Sequence, residues 1–227
     1  MREIPGRRRR LLSKRGSGRP DLIGAALTFA TAWQWPVLPG VGQLPGTGRR
    51  RTGSPGCACP DAECAIPGGH PFDPGLLAAT TDARMVRWWW TNRPTAPIVL
   101  ATGGPGPCAI SLPAVAAAGA LAELRRAGVR LGPVVATPDR WFLLVAPYSM
   151  EQLGELLYAK DWVPSSLRFH SEGGYVVLPP SEIGQGQVRW ELAPLPGSAT
   201  PWLPDVEAVV DVLVETLTHT GVSAPEF

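Results

Sequence analysis

Residues 79–103 read ATTDARMVRWWWTNRPTAPIVLATG, and this stretch predicts a capped helix that leads directly into a buried strand. Thr80, Thr81 and Asp82 are candidate N-caps, because their short polar side chains can accept from the free N–H groups of a first helical turn. The run 97–102 is apolar and ends at a glycine pair, which is typical of a buried strand. The three tryptophans at 88–90 cover both faces of one helix, so we expect two in the core and one exposed.

Helices and strands alternate irregularly on both sides of this stretch. Further helices are predicted at 22–32, 113–127, 149–157 (capped by Ser149) and 205–221, and further strands at 35–39, 108–112, 131–137, 140–146, 173–178 and 188–192. The order lacks a regular strand–helix–strand rhythm, which favours an α/β (α+β) domain with a mixed sheet flanked by helices. The length of 227 residues suits one such domain with tails.

Composition divides the chain into four predicted parts. Residues 1–19 form a basic arm that we expect to be disordered, and residues 20–193 form the α/β domain. A proline-rich linker at 194–204 precedes the C-terminal helix at 205–221. The long Gly/Pro-rich loop at 40–75 lies inside the domain, and loops of this length are usually functional or disordered.

The charge of the chain is divided unevenly. Residues 1–51 hold eleven Lys or Arg and two acids, whereas the other residues hold ten and seventeen. The body is therefore acidic, which makes it a poor partner for nucleic-acid phosphates. Arg7, Arg8, Arg9 and Arg10 are the candidates for contact with nucleic acid or with an acidic partner.

The N-terminal region allows two interpretations. The arginine run before the apolar segment 22–32, which ends in Ala30-Thr31-Ala32, resembles a twin-arginine export signal. Pro20 and Asp21 at the start of the segment instead favour a core helix capped by Asp21. Eleven residues are too few to cross a bilayer, which needs about 20. We expect no membrane span and a cytoplasmic protein, with export as the alternative.

The spacing Cys57-x-Cys59-x4-Cys64-x5-His70 predicts a metal site. Three thiolates and an imidazole suit tetrahedral zinc, and four protein ligands make a closed, structural shell. Glycines and prolines between the ligands let the loop fold back on itself. Metal binding would order a segment that has little core of its own.

Four blocks in this order resemble the bacterial bifunctional primase–polymerase N-terminal (Prim-Pol) family. They are LIGAALTFATAWQWPVLP (22–39), GCACPDAECAIPGGHP (56–71), the stretch 79–103 and LRFHSEGGYVVLPPS (167–181). The resemblance extends over 22–191. It implies an archaeo-eukaryotic-type primase fold that extends nucleic-acid strands with two metal ions. Together with the Ala/Gly/Pro/Arg-rich composition, it indicates a degenerate, actinobacterial-type member.

The catalytic elements of that family are absent at the matching positions. Where the resemblance places an Asp-x-Asp pair, this chain has Ser111 and Pro113. The family's Ser-Gly-Gly-x-His turn corresponds to a segment that includes Asp139 and Trp141, and the third acid corresponds to Ser166. A two-metal site needs carboxylate oxygens, so we expect no catalytic residues here.

The sequence therefore predicts a catalytically inactive primase–polymerase-like protein that acts as a binding or regulatory module. Its partner stays open among a protein, a nucleotide and nucleic acid. One alternative is an active primase–polymerase that recruits other carboxylates, such as Glu123 or Asp139. The other alternative is a DNA-binding protein that acts through its arginine arm.

Overall fold

The computed structural model describes residues 21–44, 56–61, 63–195, 197 and 199–220. The predicted basic arm at 1–19, with Arg7, Arg8, Arg9 and Arg10, lies outside these residues. Within them the chain forms five α-helices and ten β-strands, and this confirms the predicted α+β class.

Polar N-caps begin three of the helices as the sequence predicted. Asp21 Oδ1 accepts a hydrogen bond from the Gly24 N–H, Asp82 Oδ1 from the Arg84 N–H, and Ser149 Oγ from the Gln152 N–H. The helices are α1 (Leu22–Leu27, continued by a π-helical turn at Thr28–Ala32), α2 (Ala83–Asn92), α3 (Ala114–Arg126), α4 (Met150–Tyr158) and α5 (Val206–Thr220). A short 3₁₀ turn at Leu76–Ala78 precedes α2.

The strands form two sheets and a hairpin. They are β1 (Val37–Pro39), β2 (Ile98–Ala101), β3 (Cys108–Pro113), β4 (Val134–Ala136), β5 (Arg140–Val145), β6 (Arg168–His170), β7 (Tyr175–Leu178), β8 (Glu182–Ile183), β9 (Gly186–Gln187) and β10 (Arg189–Leu192). One sheet has the order β1-β2-β7 and the other has the order β10-β4-β5-β3-β6. The strands β8 and β9 pair only with each other.

The sheets differ in detail from the single mixed sheet that the sequence suggested. Every pairing among the described strands is antiparallel. Three short strands, β6, β8 and β9, were not predicted. They have two or three residues each, too few for an alternating pattern to appear. Of these, β6 lies at the edge of the larger sheet and pairs with β3.

The larger sheet separates two hydrophobic cores, because successive side chains of a strand point to opposite faces. On one face, Ala109, Val135 and Leu144 join the core that α1, α2 and the smaller sheet build. On the other face, Ile110 and Leu143 join the core of α3 and α5. Alternation along β3, β5 and β6 therefore decides which side chains face the space between the two sheets.

The tryptophans of α2 divide as predicted. Trp89 and Trp90 are buried, whereas the side chain of Trp88 is 62% exposed. The Trp90 indole N–H donates to the Ala96 carbonyl, which satisfies the polar atom that burial would otherwise leave unpaired. Among the described helices, none combines the length and the apolar character that a bilayer crossing requires.

Candidate functional site: an arginine-lined cleft beside a metal loop

A cavity of about 300 Å³ lies between the two sheets. Its polar wall comes from the β4–β5 turn, β5 and β6, and its apolar wall comes mainly from β7 and the β8–β9 hairpin. Residues of the loop that carries the cysteines complete one side. The volume is at the lower end of the range found for small-molecule sites.

The register of β3, β5 and β6 explains which side chains face this cavity. Arg140 and Phe142 alternate with Trp141 along β5, so the first two line the cavity and Trp141 packs in the core of α3 and α5. Across the sheet, Ser111 lies opposite Phe142 on one side and opposite Arg168 on the other. Antiparallel pairing thus gathers polar groups that are up to 59 residues apart, as between Ser111 and His170.

The guanidinium of Arg140 connects two of the positions that the resemblance assigns to missing acids. Its Nε donates to Ser111 Oγ at 3.2 Å, and its Nη2 donates to the carbonyl oxygens of Ser111 at 2.9 Å and Ser166 at 2.8 Å. Both serines are buried. A positive charge is therefore anchored where the resemblance places metal-binding carboxylates.

Ser111 is also the hydrogen-bond partner of His170. Its hydroxyl, which accepts from Arg140 Nε, lies 2.9 Å from His170 Nε2. Burial, with the nearby charges of Arg140 and Arg168, lowers the pKa of His170 to about 4. The imidazole is neutral at physiological pH.

The Ser111–His170 pair does not make a nucleophilic site. Ser111 has no exposed surface and does not line the cavity, so a substrate in the cavity cannot reach its hydroxyl. Nucleophilic catalysis would need that contact. The pair is a structural hydrogen bond that orients the wall of the cavity.

The other predicted positions divide between the cleft and the rest of the protein. Asp139 is exposed at the cavity, where its Oδ1 accepts from Thr137 Oγ1 at 2.7 Å. Pro113 ends β3 and pairs with Arg140 in the sheet register. Glu123 forms an ion pair with Arg126 on the surface of α3, away from the cavity lining.

The cavity wall holds more positive than negative charge. In the described part of the chain, no salt bridge involves Arg140 or Arg168. Burial lowers the pKa of Arg140, and the like charge of Arg168 lowers it further against the opposing effect of Asp139. The Arg140 guanidinium remains charged at neutral pH, because an arginine pKa is far above 7.

The four residues of the predicted metal site also come together. One ligand atom each from Cys57, Cys59, Cys64 and His70 lies within 4.8 Å of the others. The edge of a tetrahedron with metal–sulfur bonds of about 2.3 Å is roughly 3.8 Å, so a small contraction would complete the shell. Among the described residues this is the one cluster of three or more Cys, His, Asp and Glu side chains that could hold a metal ion.

Hydrogen bonds prepare His70 as a ligand. Its Nδ1 lies 3.0 Å from the Pro71 carbonyl, which can only accept, so Nδ1 carries the ring proton. Nε2 is then unprotonated, and it lies 3.3 Å from Cys57 Sγ. A ligating histidine commonly has its second nitrogen bonded to a carbonyl in this way.

The thiols of the cluster differ in acidity. Burial alone would raise the pKa of Cys57, but hydrogen bonds from backbone groups, including the Gly68 N–H at 3.2 Å, lower it to about 7. Burial and the neighbouring thiols raise the pKa of Cys64 to about 12. One thiol ionises readily and the next retains its proton, which a divalent cation would displace on binding.

Backbone pairing holds the loop in place. The Ala58 N–H donates to the Gly42 carbonyl, and the Gly42 N–H donates to the Gly68 carbonyl. Gly68 has a φ of +81°, and a Cβ there would lie only 3.0 Å from the Gln43 side chain, so glycine is required by both conformation and space. The loop is built onto the chain segment that follows β1.

The loop that carries the four candidate ligands Cys57, Cys59, Cys64 and His70, called the metal loop below, forms part of the wall of the cavity. Ile66 and Gly69 of the loop line the cavity, and Tyr175 of β7 lies between the cavity and the cysteine cluster. The Gln185 side chain donates to the Ala65 carbonyl, and the Gly184 N–H donates to the Pro67 carbonyl at 2.7 Å. The position of the loop therefore affects the shape of the cavity.

Sequence reasoning missed several residues of the cleft. Because His170 precedes the pair Gly173-Gly174, the sequence predicts a turn or surface residue there, whereas the structure places His170 in β6 and at the cavity. Sequence reasoning did not single out Arg140, Phe142 or Arg168. The signal available was the alternation in Arg140–Val145, which places Arg140 and Phe142 on one face once that strand is assigned.

Comparison with known proteins bears on the whole domain. Neither the comparison with curated proteins nor the comparison with solved structures gave a match. The sequence model of one family, described as bifunctional DNA primase/polymerase, N-terminal, matches residues 26–205, about four-fifths of the chain. This range includes the cysteine cluster, every strand and the whole cavity lining. The chain thus belongs to the bifunctional DNA primase/polymerase N-terminal family.

Proposed function

We propose that this protein is a catalytically inactive member of its family that acts as a binding or regulatory module. The cleft between its sheets would receive a ligand without performing nucleotide transfer. The cysteine loop would hold a structural zinc ion that supports one wall of the cleft.

The observation that carries this proposal is the position of Arg140. Nucleotide transfer by two metal ions needs carboxylates that bind hard divalent cations and bridge them to phosphates. Here Ser111 and Ser166 stand at the positions that the resemblance assigns to acids, and both bond to one guanidinium. A fixed cation would repel a divalent metal ion at this place, and the neutral serine oxygens offer no compensating charge.

The alternative of an active enzyme with other carboxylates has less support. Asp139 lines the cavity, but Glu123 is paired with Arg126 on α3. Among the described residues, no three acids approach one another closely enough to hold a metal ion. A single exposed carboxylate is a weak ligand for two divalent ions.

A metal-dependent primer-extension assay tests the inactive state. We expect no incorporation of deoxynucleotides or ribonucleotides above background with Mg²⁺ or Mn²⁺. The matched variants are Asp139→Asn, which removes the acid of the cavity, and Asp61→Asn, which removes an exposed acid of the loop. Robust synthesis that Asp139→Asn abolishes and Asp61→Asn leaves intact would overturn the proposal.

Zinc is proposed from the chemistry of the donor set. Three thiolates and one neutral imidazole match a closed, structural zinc site, whereas magnesium and calcium prefer oxygen ligands. Metal analysis of the purified protein should give about one zinc per chain. A variant with Cys57→Ser and Cys64→Ser should lose it, and wild-type protein with no bound zinc would contradict the assignment.

The arginine arm carries the second candidate function. Arg7, Arg8, Arg9 and Arg10 are four of the eleven Lys or Arg residues in segment 1–51, which holds only two acids, and this basic charge favours contact with nucleic acid or an acidic partner. Deleting residues 1–19 should then remove DNA binding and its salt dependence, and unchanged binding would show that the arm does not bind DNA.

We also propose a cytoplasmic location for the protein. A reducing compartment keeps the cysteine thiols available for metal binding.

A further inference from the structure

The outer face of α2 presents apolar and positively charged side chains together. Met85 is 44% exposed and Trp88 is 62% exposed, and both line a surface pocket of about 460 Å³ with Asp82 and Arg84. Arg87 is exposed on the same face, because positions three and four apart are neighbours on a helix. Single exposed apolar residues are ordinary on a protein surface. Here two large ones adjoin each other and two arginines.

The buried side of the same helix holds this face in place. Val86, Trp89 and Trp90 pack in the core that α1, α2 and the smaller sheet build. The Trp90 indole N–H donates to the Ala96 carbonyl, and Asp82 caps the first turn. A surface that is fixed before binding loses little conformational entropy when a partner binds. The outer face of α2 is therefore a preformed surface.

Polar groups of this face have donors that the described part of the chain does not use. Within that part, Arg87 forms neither a hydrogen bond nor a salt bridge, and the Trp88 indole N–H has no acceptor. Arg84 pairs with Asp82 in an exposed contact, of a kind that contributes little to stability. Two guanidiniums and one indole N–H are thus available to acceptors on a partner.

The residue types of this face are typical of protein interfaces. Trp, Met and Arg are enriched there, and Trp and Arg supply much of the binding energy. An aromatic or large aliphatic side chain of a partner would rest against Met85 and Trp88, while carboxylates beside it accept from the arginines.

Nucleic acid fits this face less well than protein. Its affinity comes from many phosphate contacts. The face offers Arg84 and Arg87 next to the acid Asp82, in a part of the chain, residues 52–227, that holds ten Lys or Arg and seventeen acids. One or two carboxylates beside an apolar anchor match this arrangement better than a row of phosphates.

We propose that the outer face of α2 is a docking site for an acidic segment of another protein. An aromatic or large aliphatic side chain of that segment packs against Met85 and Trp88, and its carboxylates pair with Arg84 and Arg87. The proposal does not depend on what the cleft binds, since none of these four side chains lines the cleft cavity.

Selection from a library of short random peptides, displayed on phage and applied to the full chain, tests the proposal. The enriched peptides are then compared for binding to Trp88→Ala and to Trp162→Ala, a control at another exposed tryptophan. We expect a class of peptides that binds Trp88→Ala about tenfold or more weakly and binds Trp162→Ala unchanged. Its members should share an aromatic or large aliphatic residue flanked by Asp or Glu. Ligands of the arginine arm or of the cleft bind both variants equally and fall outside this class.

A double variant tests the charge of the face. Arg84→Gln with Arg87→Gln should weaken binding of such a peptide about tenfold and reduce its salt dependence, because charge-assisted hydrogen bonds are lost. The matched control is Arg125→Gln with Arg126→Gln on α3. Both of these arginines are exposed, and Arg126 likewise pairs with an acid, Glu123. Fluorescence anisotropy of the labelled peptide gives the affinities, and unchanged midpoints of thermal unfolding show that the variants fold.

Three results of the peptide experiments would overturn the proposal. They are the absence of a peptide class that needs Trp88, a Trp88-dependent class without acids, and equal affinity of the two double variants. Binding of a single-stranded oligonucleotide that Trp88→Ala abolishes would also overturn it, by assigning the face to nucleic acid. Self-association that the same variant abolishes would assign the face to a second copy of the chain. None of these results bears on primer extension, which tests the inactive state alone.

Discussion

The metal loop and the cleft are neighbours that are built in opposite ways. The four residues of the loop cluster lie within 14 positions of one another, and their side chains converge because the intervening glycines and prolines fold the chain back. The cleft combines side chains from β3, β5 and β6 that only sheet pairing brings together. The loop is a local site, which a bound ion would stabilise, and the cleft is a long-range site that needs the whole sheet.

The largest loss of stability is expected from removing the proposed metal ion. Cys57→Ser should lower the free energy of unfolding by about 3–5 kcal/mol, because metal affinity is part of the folding energy of such a loop. Thermal unfolding and zinc content measure it. The control is Cys108→Ala, a buried cysteine outside the cluster, which should cost about 1 kcal/mol and leave zinc bound. Loss of zinc from the Cys108→Ala variant would show that zinc binding does not depend on the loop cluster alone.

The stability of the cleft should depend on Arg140 and not on a metal ion. Arg140→Met should cost about 2–3 kcal/mol, because it leaves the buried Ser111 and Ser166 groups without their donor. Arg168→Gln, which changes an exposed side chain of the same wall, should alter stability by less than about 0.5 kcal/mol. Urea unfolding of both variants tests this difference, and equal effects would show that Arg140 is not the support of the cleft.

Acid should weaken the cleft through His170. Its pKa is about 4 in the folded protein, below the ordinary value of 6.5, so the unfolded chain binds its proton first. Stability is therefore fully present above pH 6.5 and is lost as the pH falls toward 4, by at most about 1.4 kcal/mol per pH unit. Burial and the charges of Arg140 and Arg168 oppose protonation of the imidazole, and the Ser111 hydroxyl lies against it.

His170→Gln should flatten this part of the pH profile, because glutamine keeps a hydrogen-bonding partner for Ser111 but does not titrate. Urea unfolding of wild type and variant between pH 7 and pH 5 provides the comparison. A histidine NMR signal for residue 170 that titrates near pH 6.5 would contradict the assigned state.

The smallest expected effect tests the wall that the two regions share. A Cβ at Gly69 would lie 2.9 Å from side-chain atoms of both Ile66 and Ile183. Gly69→Ala should therefore cost about 1 kcal/mol by overpacking. At Gly75 a Cβ has no atom within 4 Å, so Gly75→Ala should be neutral or slightly stabilising. Thermal unfolding of both variants measures the difference, and equal stability would show that the loop and the cleft are not packed tightly together at Gly69.

Most of the helices and the longer strands could be predicted from the sequence, because their patterns are local. Asp21, Asp82 and Ser149 cap helices as predicted, and the split of the tryptophans at 88–90 follows from the width of an apolar helix face. The short strands β6, β8 and β9 escaped prediction because pairing partners, not residue patterns, define them. The inactive state and the division into four parts stay predictions that the experiments above address.

The sequence by itself determined the spacing of the cysteine cluster and the absence of acids at the positions that the resemblance assigns to them, since both are statements about which residues occur where. Only the tertiary structure decided what surrounds these positions. Arg140 lies 29 residues from Ser111 and 26 from Ser166, and nothing in the chain order indicates that one guanidinium bonds to both. The antiparallel pairing of β3 with β5 and β6 makes that contact, because strand register and not sequence distance decides which side chains share a face.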